Sequence, residues 1–151
     1  MKMQGTEFMH HIRNFVVERN CPPRFRQQLK TQRLTYSWDW PEHPQDAMDK
    51  EVFGHVISRG FVQENNEKLV VYGSTHRDAV DVAWTTVHEL AHVIYAGHGE
   101  DWAALARVLG VAERAYKVKA CFGDQGGHFA WADPAIEEIA RSLPFDLEAS
   151  H

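Results

Sequence analysis

The residues best suited to chemistry in this chain are His88, Glu89 and His92, within Thr85-Thr86-Val87-His88-Glu89-Leu90-Ala91-His92. Helical positions four apart stack on one face, so H-E-x-x-H spacing aims two imidazoles at one ion. Glu89 lies roughly 100° round the helix from His88, beside the pair, where it can hold a water instead of ligating. Those parts make a metal-assisted hydrolase: an ion acidifies a water and a carboxylate takes its proton. A blander arrangement makes the same residues two hydrogen-bonded core histidines and a solvent-facing glutamate.

A catalytic zinc takes three protein ligands and keeps one position open. His98 is the leading third ligand. It follows Gly97, a helix stopper, so the chain can turn back and present the ring from the start of the next helix. Glu100 and Asp101 are alternative oxygen donors, although acids in a first helical turn also offset the helix dipole. His128 is a more distant alternative. His10 and His11 are adjacent and therefore face different directions. Tyr72 and Tyr95 are candidates for an extra donor to the oxyanion, each with core packing as the plainer role.

Such a motif needs a helix in an apolar setting to hold it. Val80, Ala83, Trp84, Val87, Leu90, Ala91 and Ile94 predict a central helix buried on more than one side. It should begin near His76 or Arg77, with Ser74 or Thr75 as cap and Asp78 in the first turn. Beyond Gly97, Glu100 to Gly110 restarts a helical pattern, with Trp102, Leu105, Ala106 and Leu109 as its apolar stripe. Upstream, Val56 to Gln63 and Lys68 to Gly73 read as an antiparallel hairpin turning through Glu64-Asn65-Asn66-Glu67.

The remaining elements follow from the same rules. Glu7 to about Asn20 predicts an amphipathic helix with Thr6 as cap, and Pro23 to Leu29 a second, shorter one. Leu34 to Trp40 alternates as a strand that ends before Pro41, and its two tryptophans share one face. Val111 to Lys119 predicts a further helix, and Cys121 to His128 a loop rich in turn formers. Asp133-Pro134, an acid at the cap and a proline at the first helical position, opens a last helix through about Ser142.

A chain of 151 residues with 44% hydrophobic content suits one domain with a packed core, and the strands and helices expected above make it α+β. The formal charge of -5 argues against a broad surface for nucleic acid or anionic membrane. Arg24, Arg26, Lys30 and Arg33 form a local basic run, read first as a solvated face and second as a nucleic-acid contact. Cys21 and Cys121 form no Cys-x-x-Cys pair; two buried thiols are expected, with a single bridge as the alternative. No apolar run spans a membrane and the N-terminus lacks a secretory h-region, so a cytoplasmic protein is expected.

His88-Glu89-Leu90-Ala91-His92, five further residues, then His98-Gly99-x-x-Trp102 resembles the SprT-like metallopeptidase family, which includes the Spartan-type proteases. The resemblance covers roughly residues 56 to 110. It implies a zincin-like domain in which a small antiparallel sheet packs on the H-E-x-x-H helix, with helices flanking it. It places zinc ligands at His88, His92 and His98, the catalytic glutamate at Glu89, and the family aromatic at Trp102, packing the second helix against the site. The implied activity is that of a zinc metalloendopeptidase acting on a protein or peptide. The chain has no four-cysteine set for the zinc ribbon that many members carry, nor their long recruiting tails, which points to a minimal protease domain. Two alternatives stand beside it. One is a catalytically silent zinc-binding interaction module. The other is a DNA-associated protease acting on protein crosslinks, which needs clustering of the basic run with Lys117 and Lys119.

Overall fold

Phe8, Ile12 and Val16 recur at helical spacing and wind into α1 (Gly5–Asn20), whose buried stripe they share with Met9 and Val17. The computed structural model describes residues 2–39, 60–62, 67–112 and 130–148. Thr6 does not cap α1. It lies inside the first turn, and its hydroxyl oxygen accepts the Tyr36 backbone N–H at 3.1 Å, pinning α1 to the first strand. A proline opens α2 (Pro23–Thr31), which runs two residues past its expected end at Leu29.

Three short strands follow: β1 (Leu34–Ser37), β2 (Gly60–Val62) and β3 (Leu69–Tyr72), in the order β1-β3-β2. The hairpin forms as its pattern predicts, with β2 antiparallel to β3 and Phe61 opposite Val70. The expected all-antiparallel sheet is corrected, because β1 runs parallel to β3, with Leu34 opposite Leu69. Only residues 63–68 separate β2 from β3, a connection short enough to favour reversal. Residues 38–68 separate β1 from β3, long enough for the chain to cross back and enter in the same direction. Positions 56–59, 63–66, 113–129 and Trp40 lie outside the described residues.

The central helix α3 (Ala79–Ile94) starts later than expected. Asp78, not Ser74 or Thr75, is its cap, accepting the Asp81 N–H at 3.0 Å. Gly73–Thr75 instead makes a short 3-10 turn, and His76 is drawn inward. The His76 Nδ1–H donates to the Tyr72 carbonyl at 2.7 Å, and Nε2 accepts from the Thr85 hydroxyl at 2.9 Å. These bonds hold residue 76 extended.

Every residue of α3 from Asp81 to Val93 is buried, because α1, α2, the sheet and two later helices surround it. Those helices are α4 (Glu100–Leu109) and α5 (Pro134–Ser142). Asp133 caps α5 and Pro134 occupies its first position, as expected. The helix expected from Val111 does not begin there, since Val111 pairs antiparallel with Trp131. Phe8, Ile12, Leu29, Leu69, Leu90, Trp102, Leu109 and Ile136 join one apolar cluster around α3. Each such side chain contributes roughly 1.5–3 kcal/mol on burial. Among the described residues, no helix is long and apolar enough to cross a membrane.

Candidate metal centre

Spacing on α3 places His88 and His92 on one face, both buried. The helix ends at Ile94, and the Tyr95 N–H closes the last turn on the Ala91 carbonyl at 3.0 Å. Gly97 then takes φ +74, a left-handed conformation that favours glycine, and the reversed chain delivers His98. His88, His92 and His98 each offer a ring nitrogen, and these atoms lie within 4.8 Å of one another, close enough to hold one metal ion. His92 Nε2 and His98 Nε2 are 3.1 Å apart.

Trp102, in the first turn of α4, forms a wall common to all three rings. Its ring centre lies 4.9 Å from His88, 5.1 Å from His92 and 4.8 Å from His98. It is 1% exposed, so it closes that side of the centre to solvent. Glu89 is fully buried, which rules out the solvent-facing glutamate of the blander arrangement. Its Oε2 lies 3.5 Å from His88 Nε2.

Burial keeps these imidazoles neutral at pH 7. It lowers the His88 pKa well below the usual value, with His92 and His98 adding to the effect. Burial also takes His92 down to about 4; His98 pushes in the same direction and the Tyr95 carbonyl opposes it. His98 is exposed over part of its surface, yet its ring is crowded against Trp102 and the other two histidines, and desolvation lowers its pKa too. The His92 Nδ1–H donates to the Tyr95 carbonyl at 3.1 Å, which leaves Nε2 as the lone-pair nitrogen. Neutral rings with an outward lone pair are what a metal ion requires.

The structure therefore brings together His88, Glu89, His92 and His98. Glu100 and Asp101 are exposed in the first turn of α4 and are not part of the cluster. His10 and His11 lie on α1, also outside it, and His128 lies beyond the described residues. Tyr95 is not on the α3 face as its spacing suggests, because the helix has already ended. It reaches the site through its carbonyl, while its ring packs edge-on against Phe25. Tyr72 is buried at the end of β3, where its carbonyl receives Thr75 and His76. Trp84, expected only as part of the apolar pattern of the helix, stacks on His88; its position one turn earlier on the same face was the available signal. No sequence signal marks a backbone acceptor such as Tyr95.

Comparisons with protein-family models, with curated proteins and with solved structures returned no match.

Proposed function

We propose that this chain is a zinc-dependent metallopeptidase with a SprT-like, zincin-type centre, acting on a protein or peptide. The observation that carries the reading is the buried carboxylate of Glu89, 3.5 Å from His88 Nε2 in a cluster of three metal-competent imidazoles. The donor set suits zinc, which favours three nitrogen ligands and a fourth, open position in catalytic sites. When bound, zinc would supply Lewis acidity and lower the pKa of a water. His88, His92 and His98 would hold it.

Glu89 is the general base. Its carboxylate takes a proton from the attacking water as the oxygen bonds to the peptide carbonyl carbon. It returns that proton to the amine nitrogen as the C–N bond breaks. The wall formed by Trp102 keeps bulk water from one side of the reaction, which strengthens electrostatic interactions inside.

Metal analysis paired with a casein-cleavage assay tests this reading in the wild type and in Glu89→Gln. Both proteins should hold zinc, and the variant should lose cleavage by about 10²–10⁴-fold. Equal cleavage by the two proteins would sink the assignment of Glu89. Zinc binding without cleavage by either would favour a silent metal-binding module.

A further inference from the structure

Trp84 lies one helical turn before His88 on α3 and is 5% exposed. Its ring plane is 17° from that of His88, with ring centres 5.6 Å apart. This is an offset stack within the range over which aromatic faces attract. Trp102 meets His88 at a steeper angle, 67°, with centres 4.9 Å apart. An imidazole has a broad, roughly two-fold preference about its last torsion, so nothing in the backbone of α3 alone selects which way its nitrogens point. A flat indole face and a second, inclined ring restrict that torsion.

Trp84 is itself anchored. Its indole N–H donates to the Ala130 carbonyl at 2.9 Å. The same carbonyl accepts the Ala112 N–H at 3.1 Å, beside the pairing of Val111 with Trp131. The acceptor is therefore a backbone group fixed by pairing, and the stacked face is fixed with it.

We propose that Trp84 is a positioning residue for the metal ligand His88: its anchored indole face holds the imidazole plane so that a ring nitrogen stays directed into the three-histidine centre. The inference rests on the proposed metal centre. It concerns how tightly the centre holds its ion, not which bond is cleaved. A purely packing role predicts something different, namely lower stability with unchanged zinc affinity in the molecules that fold.

Zinc affinity, measured by competition with a chromophoric chelator, separates these roles when compared with thermal unfolding of the metal-free protein. Trp84→Leu should bind zinc at least about tenfold more weakly, as loss of a group that orients a ligand commonly does. Trp84→Phe retains a flat face and should recover most of that loss. Wild-type affinity in folded Trp84→Leu overturns the proposal, as does Trp84→Phe binding as weakly as Trp84→Leu. Should Trp84→Leu fail to fold, the ring protons of His88 in the metal-free wild type decide. Upfield NMR shifts from the indole ring current are expected, and free-imidazole positions overturn the proposal. A wild type that binds no zinc would defeat the metal centre and this inference together, whereas unchanged affinity in Trp84→Leu would defeat this inference alone.

Discussion

His92 donates its Nδ1–H to the carbonyl of Tyr95 at 3.1 Å, and its Nε2 lies 3.1 Å from Nε2 of His98. A carbonyl can only accept, so this bond assigns the proton and the lone pair of His92 without reference to a metal. The helix end thus serves the site twice. It stops α3 one residue before Tyr95, and it presents the freed carbonyl to the second histidine of the motif.

Burial lowers the pKa of all three histidines, that of His92 to about 4, so the cluster should stay neutral in mild acid. An ordinary imidazole, titrating at about 6.5, would be mostly protonated at pH 6, whereas His92 would still be a free base. Zinc binding by equilibrium dialysis should persist below the ordinary imidazole titration and fall only as the pH enters the lowered range in which the three histidines take up protons. A midpoint at the ordinary imidazole value would contradict this. The metal-free protein carries the same sign. Between pH 4 and the unfolded value of about 6.5 the unfolded chain binds more protons, so stability is full above that window and declines as pH falls through it. Thermal midpoints across the window check the slope.

Gly73 is where the chain turns from β3 toward the site helix, and a methyl group there would overlap the hydroxyl and ring of Tyr36. The Tyr36 hydroxyl donates to the Leu147 carbonyl at 3.1 Å, so it cannot swing aside without breaking that bond. Gly73→Ala should destabilise the protein by about 1–3 kcal/mol in chemical denaturation, as overpacking does. Burial, helped by Asp146, pushes the Tyr36 pKa up to about 12. Its contribution is present below the unfolded value of about 10 and is lost as pH rises from there toward 12. Tyr36→Phe should flatten that alkaline limb; an unchanged limb would assign it to other groups.

Asp133 joins three helix ends. It accepts the Ala135 N–H at 3.1 Å as the cap of α5, Arg19 Nε at 2.7 Å and Asn20 Nδ2 at 2.9 Å, and Asn20 also donates to the Leu109 carbonyl at 3.0 Å. Asp133→Ala should lower stability by about 1–2 kcal/mol through loss of the cap. Zinc affinity of the folded variant should match wild type, because the knot lies apart from the three histidines. Weakened zinc binding at unchanged stability would refute this separation.

Much of the centre was legible because its signals are local. His88 and His92 share a face through helix geometry alone, and Gly97 supplies the reversal that returns His98. Asp133-Pro134 announced α5 for the same reason, since cap and first-turn preferences act within one turn. The hairpin of β2 and β3 was readable from strand patterns flanking a short turn. The start of α3 was misread by a few residues because Thr85, well along the helix, binds the His76 ring and holds it extended.

The order of residues thus put His88 and His92 on one face with Glu89 beside them, because that follows from helical spacing, and left His98, Glu100, Asp101 and His128 as rival third donors. It could not settle the direction of β1, the complete burial of Glu89, the anchoring of Trp84 on the Ala130 carbonyl or the closure of Tyr36 over Gly73. Each of these depends on where distant segments come to rest, and no periodicity within one segment encodes its neighbour. Packing around α3 turns a spacing of histidines into a cluster in which His88, Glu89 and His92 are buried and His92 has a defined tautomer.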